Sequence, residues 1–132
     1  MKLLIDASVW SLVLRRKPEA ILSREEREMV AALTEAIGDG RAAIIGPIRQ
    51  EILSGIKEPA QYEKLRRALQ SYTDEPVTSS DYEEAGRLFN VCRSKGVQCG
   101  AVDILLCAVA RRRQWAILTS DQGLKRCIEA IH

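Results

Sequence analysis

The stretch Lys2-Leu3-Leu4-Ile5-Asp6-Ala7-Ser8 decides how this chain is read. Three large apolar residues in a row, bounded by polar ones, read as a short strand buried on both faces of a parallel sheet. Asp6 stands where that run ends. In open parallel α/β sheets, chemistry gathers at the carboxyl ends of the strands. An ionised Asp is costly to bury unpaired, so one placed there needs a cation or a cage of hydrogen bonds. Ser8 can start a helix as its N-cap. What remains is whether other acids reach the same edge.

Working outward, the spacing of Val9, Leu12 and Val13 predicts a helix from Ser8 to about Arg16. Arg15-Arg16-Lys17 followed by Pro18 closes it, with positive charge against the helix dipole and then a breaker. Ser23 with Glu26 forms a capping box for a second helix running to about Ile37. Ala42-Ala43-Ile44-Ile45 is a second strand-like run, and Pro47 opens a helix that carries Glu51. A helix from about Ala60 to Tyr72 turns Tyr62, Leu65 and Leu69 inward. Glu75-Pro76-Val77-Thr78 reads as an edge strand.

Ser79-Ser80-Asp81 caps a helix bearing Tyr82, Ala85, Leu88, Phe89 and Cys92. Ile104 to Ala110 is apolar all round, as in a central buried helix, and Arg111-Arg112-Arg113 ends it at the surface. Trp115-Ala116-Ile117-Leu118 is the last strand-like run. Thr119-Ser120-Asp121 closes it, and a last helix runs from 122 to about 129. Strands alternating with helices predict a parallel sheet covered on both sides.

The 132 residues fit one domain, 1–132, with a core that needs no staples. A net charge of +2 does not announce a polyanion binder, and 5% aromatics leave no stacking platform for single strands. Cys92, Cys99, Cys107 and Cys127 lack zinc-knuckle or redox spacing, and the one histidine is His132, which disfavours zinc. Cys107 reads as core. No signal peptide or membrane span is evident, so the expected setting is reduced and cytoplasmic.

Asp6, Asp103 and Asp121 all fall at strand ends or helix starts, and Glu51 is a fourth acid in the helix after the second strand. Short connections put them at one edge of the sheet. Two ionised acids about 5 Å apart repel by roughly 3 kcal/mol at an effective dielectric near 20. A divalent cation relieves this, and an all-oxygen donor set selects Mg²⁺ or Mn²⁺ over zinc. Such ions support in-line hydrolysis of a phosphodiester. Taken singly, Asp103 and Asp121 also read as helix caps, and Glu51 as a solvated helix charge. Ser8, Thr119 and Ser120 read as caps, or as hydrogen-bond donors to metal-bound carboxylates. Both Arg clusters read as helix ends in water. Arg15, Arg16 and Lys17 are the better placed for phosphate, because the cluster at 111–113 points away from the acids.

Together, Leu4-Ile5-Asp6-Ala7-Ser8, Glu51 after a Pro-led helix start, Val102-Asp103-Ile104-Leu105-Leu106-Cys107-Ala108-Val109-Ala110 and Leu118-Thr119-Ser120-Asp121 resemble the PIN domain. The short chain and motif order resemble its VapC-type ribonuclease toxins. The resemblance covers nearly the whole chain. It implies a three-layer α/β/α fold around a parallel sheet of four to five strands. It implies a Mg²⁺- or Mn²⁺-dependent endoribonuclease that leaves a 5′-phosphate and a 3′-hydroxyl. Asp6, Glu51, Asp103 and Asp121 would hold the metal, with Ser8 and Thr119 in support. A homodimer and a VapB-like antitoxin are also implied, giving a heterotetramer or larger assembly. The sequence departs from the pattern in having Leu124 where relatives place an aromatic, and in ending where many add a strand.

Alternatives are an RNA-processing PIN nuclease outside any toxin–antitoxin pair, a receiver-like signalling domain, and an inert binding scaffold. A receiver domain wants a second acid beside Asp6 and a Lys after the last strand, and neither is present.

Overall fold

The computed structural model describes residues 1–15 and 21–132. Three strands, β1 (Leu3–Ile5), β2 (Ala42–Ala43) and β3 (Ala116–Leu118), form a sheet ordered β2-β1-β3. Both pairings are parallel: Leu3 lies level with Ala42 on one side and with Ala116 on the other. The seven helices of the described residues are α1 (Ala7–Leu14), α2 (Arg24–Gly38), α3 (Gly46–Leu53), α4 (Pro59–Leu69), α5 (Ser79–Ser94), α6 (Ala101–Arg113) and α7 (Gln122–Ala130). The arrangement is the expected parallel sheet flanked by helices.

The sheet is smaller than the four to five strands anticipated. No strand forms at 75–78: a parallel bridge joins Ile44 to Asp74 just before it, and Glu75 N–H donates to the Ile44 carbonyl at 2.8 Å. Pro76 has no N–H to extend a ladder there.

The central strand behaves as its run predicts. Leu4 and Ile5 are fully buried, and α6 buries every side chain from Ile104 to Ala110. Burying such side chains contributes roughly 1.5–3 kcal/mol each before entropy is charged against it. Trp10 of α1 packs against Tyr72 with ring centroids 4.9 Å apart. Gln114 takes a left-handed conformation, φ 59°, which stops α6 and turns the chain directly into β3.

Several local readings change. Ser8 does not cap α1: the N-cap is Asp6, whose side chain makes no capping bond. On α5 the N-cap is Thr78, and Asp81 closes a capping box from inside the first turn. The expected inward face of α5 is split, with Ala85, Leu88 and Cys92 buried but Tyr82 and Phe89 exposed. Tyr62 on α4 is likewise exposed.

The cluster 111–113 is not simply a helix end in water. Arg113 meets Asp81 through Nη1 at 2.9 Å and Nη2 at 3.1 Å, and Arg112 adds a third bond at 2.7 Å. Asp81 is fully buried, and these bonds, Arg113 foremost, hold its pKa well below the usual carboxylate range. The hub ties the C-terminal end of α6 to the start of α5. Cysteine spacing also concealed a link: Cys99 and Cys127 form a disulfide across 28 residues, while Cys92 and Cys107 stay free and buried.

Candidate active site

β1 delivers Asp6 to the carboxyl edge of the sheet, and the parallel neighbour β3 delivers Thr119 beside it. Asp6 is almost wholly buried. Its Oδ2 accepts from Ser8 Oγ at 2.7 Å and from Thr119 Oγ1 at 2.8 Å. Those donors form a relay: Ser8 Oγ accepts from the Ser120 backbone N–H at 3.1 Å, and Thr119 Oγ1 from that of Asp121 at 3.0 Å. Ser8 can reach Asp6 because it lies inside the first turn of α1 rather than at its cap. Ser120 contributes its backbone N–H, not its hydroxyl.

The other acids arrive from three separate elements. Asp6, Glu51, Asp103 and Asp121 line one cleft of about 360 Å³, with Ala7, Ser8, Ser11 and Arg15. Glu51 comes from α3, and Asp103 from the first turn of α6, whose N-cap is Gly100. Asp121 does serve as the N-cap of α7, its Oδ1 accepting from Gly123 N–H at 2.8 Å. Capping and lining the cleft are therefore compatible at this residue. Asp103 occupies no cap, so that reading falls.

Electrostatics mark the cleft as under-neutralised. Burial, and then the charges of Asp6, Asp103 and Asp121, raise the pKa of Glu51. Burial, and then Asp6 and Asp121, raise that of Asp103. Among the described residues no Lys or Arg pairs with any of these acids. This is the opposite of the Asp81 hub.

Arg15, the C-cap of α1, lines the cleft wall although it stands at the far end of the helix from Asp6. Arg16 and Lys17 lie outside the described residues. Ser11 was not singled out from the sequence. The available signal was helical spacing, since Ser8, Ser11 and Arg15 follow one face of α1.

The donor chemistry fits a hard divalent cation: carboxylate oxygens, with no thiol or imidazole in the lining. Among the described residues no three acidic, His or Cys side chains form a ready-made cage for one ion. Mg²⁺ tolerates this, since it keeps several waters and takes few direct protein ligands.

A short parallel sheet with four acids at its carboxyl edge, the deepest braced by hydroxyls, defines an acid-pocket α/β protein. The chain belongs to the PIN domain family, whose profile matches residues 3–128. That agrees with the VapC-type resemblance of its motifs. The crystal structure of FitAcB from Neisseria gonorrhoeae is similar in fold, with TM-score 0.73 and 17% identity over 98% of this chain and 92% of that one. No curated protein matches the sequence. PIN domains are generally nucleases, and typically use divalent metals.

Proposed function

We propose that this chain is a Mg²⁺- or Mn²⁺-dependent endoribonuclease, the toxin of a VapBC-type toxin–antitoxin pair. One observation carries the reading: four carboxylates from separate elements share a cleft, where burial and then the neighbouring acids raise the pKa of Glu51 and Asp103 and, among the described residues, no Lys or Arg pairs with any of the four. A fold does not keep such repulsion without a use for it. Asp6, Glu51, Asp103 and Asp121 would hold the cation. Bound there, it supplies an activated water and neutralises charge on the leaving oxygen of an in-line displacement. Ser8 and Thr119 both bond Asp6 Oδ2, which leaves Oδ1 for the ion. Arg15 stands at the wall of the same cleft, where it would meet the RNA phosphate; the role is proposed for Arg16 and Lys17 too, on their sequence alone. Among the described residues no helix is long and apolar enough to cross a membrane.

The reading includes a homodimer, and the exposed face of α5 supports it. Tyr82, Gly86 and Phe89 border an apolar groove of about 400 Å³ with Pro47 and Val102. Gly86 sits mid-helix and exposed, and a Cβ there would meet nothing within 4 Å. Gly costs about 1 kcal/mol against Ala in such a position. Nothing among the described residues accounts for it, whereas close approach of a second α5 would. With a two-fold axis at Gly86 and about 1.5 Å rise per residue, Phe89 of one copy comes within about 1.5 Å, along the helix axis, of the level of Tyr82 of the other. Gly86→Leu should raise thermal stability yet yield monomers in sedimentation. A dimer that persists in that variant rules this face out.

Cleavage of RNA by the purified chain tests the activity. It should require added Mn²⁺ or Mg²⁺, stop with a chelator, and disappear in Asp6→Asn. Parental rates from both Asp6→Asn and Asp103→Asn would overturn the site. A short adjacent reading frame for a DNA-binding protein separates the toxin from an RNA-processing PIN nuclease.

A further inference from the structure

The disulfide joins the two segments that bring Asp103 and Asp121 to the cleft. Cys99 immediately precedes Gly100, the N-cap of α6, and lies four positions before Asp103. Cys127 sits on α7, the helix that Asp121 caps. Their Cα atoms are 6.0 Å apart.

At the end near the acids α7 is held by Leu124, fully buried in the core, and by Thr119 Oγ1, which accepts from the Asp121 N–H at 3.0 Å. Its buried side chains are Leu124 and Cys127 alone. Lys95 Nζ and Arg111 Nη1 donate to the carbonyls of Ala130 and Ile131, at the far end. Near the start of α7, Lys125 pairs with Glu25 on the outside, and exposed pairs hold little. Asp6 stands apart from the link, because its hydroxyl donors come from α1 and from the segment after β3.

We propose that Cys99–Cys127 is a redox clamp on the acid cleft. Closed, it fixes the spacing of Asp103 and Asp121 so that both serve one cation. Open, it releases Cys127 from the segment before α6, loosens α7 relative to Asp103 and weakens cation binding while the core stays folded. This rests on the metal-site reading above. A small-molecule disulfide closes the clamp. The Cys99 thiolate attacks one sulfur of that disulfide and expels a thiolate. The Cys127 thiolate then attacks the Cys99 sulfur of the mixed disulfide and expels the second. The protein dithiol loses two electrons and two protons, and the small disulfide becomes two thiols. All four cysteines are buried, but Cys99, in the loop before α6, keeps 8% of its surface exposed against 1% for Cys127, and so is the partner a small disulfide meets first.

The test is Mn²⁺ binding by calorimetry on the full chain, treated with oxidised glutathione or with a phosphine reductant, alongside a count of free thiols. The count should be two after oxidation and four after reduction. The oxidised form should bind Mn²⁺ about tenfold more tightly, the scale on which support around a metal site acts. Cys99→Ser and Cys127→Ser should match the reduced parent under both treatments, and Cys92→Ala should respond like the parent. Equal Mn²⁺ affinity in the two parental forms, with binding still abolished by Asp6→Asn, overturns the clamp alone. A thiol count that stays at four after oxidation also overturns it. Mn²⁺ binding that Asp6→Asn leaves intact overturns the metal site, and the clamp with it.

Discussion

Asp6 and Asp81 are both buried carboxylates, and their surroundings are opposite in kind. Asp81 is met by two guanidiniums and a backbone N–H from Thr78. Asp6 is met by two neutral hydroxyls and stands among further acids. The same helix, α6, serves both places: its last turn neutralises Asp81, and its first turn adds Asp103 to the cleft. One carboxylate is finished by the fold. The other is oriented but left without a counter-charge. The proposed cation would supply the counter-charge that Asp6 lacks.

If that contrast is right, the two sites break differently. The largest effect belongs to the cleft. Asp6→Asn should lower RNA cleavage by on the order of 10²-fold or more, since several kcal/mol of charge stabilisation is at stake. Arg113→Met should instead cost about 3 kcal/mol of stability in urea unfolding, because it strips the main partner from a buried charge. Cleavage by the folded fraction of Arg113→Met should stay near the parental rate.

Asp103→Asn sharpens the comparison from the other side. In metal-free buffer it should stabilise the fold by about 1 kcal/mol after solvent screening, a rise of a few degrees in Tm. Destabilisation would mean that the acids of the cleft do not repel as described.

The pH response should carry both signs. Glu51 and Asp103 have raised folded pKa values, so the folded state holds their protons more tightly than the unfolded chain. Their repulsion is present at neutrality and relieved as pH falls through those raised values. Asp81 has a depressed folded pKa, so its contribution is complete above the ordinary Asp value near 3.9 and is lost as pH falls toward the folded value. Melting in metal-free buffer should therefore show a small gain in Tm on mild acidification, then a larger loss below about pH 4. Asp103→Asn should shrink the gain and leave the loss.

Much of this was legible in the chain. The apolar run Leu3–Ile5 ending in Asp6 marks the central strand, and the positions of Asp6, Asp103 and Asp121 at strand ends and helix starts, with Glu51 in the helix after the second strand, mark the acids that line the cleft. The apolar block Ile104–Ala110 placed the buried helix. What escaped were features made by partners distant in sequence. Asp81 looked like a routine cap, because its arginines lie 31 and 32 residues away. Cys99 and Cys127 have no motif spacing, since α6, β3 and the turn into α7 separate them. Tyr82 and Phe89 fit a helical apolar stripe, yet α6 covers only the other side of α5. The run at 75–78 reads as strand-like by composition, but Pro76 has no N–H to carry a ladder past the bridge at Asp74. Local pattern gives elements, whereas pairing across the fold decides which charges are satisfied.

Mn²⁺ titration of the parent beside Asp6→Asn and Asp103→Asn, at neutral pH and free of other metals, tests the central claim most directly. The account predicts saturable binding to the parent that weakens sharply in both variants, along with a rise in parental Tm when Mn²⁺ is added. Binding of equal strength in all three, or none to a folded parent, would contradict it.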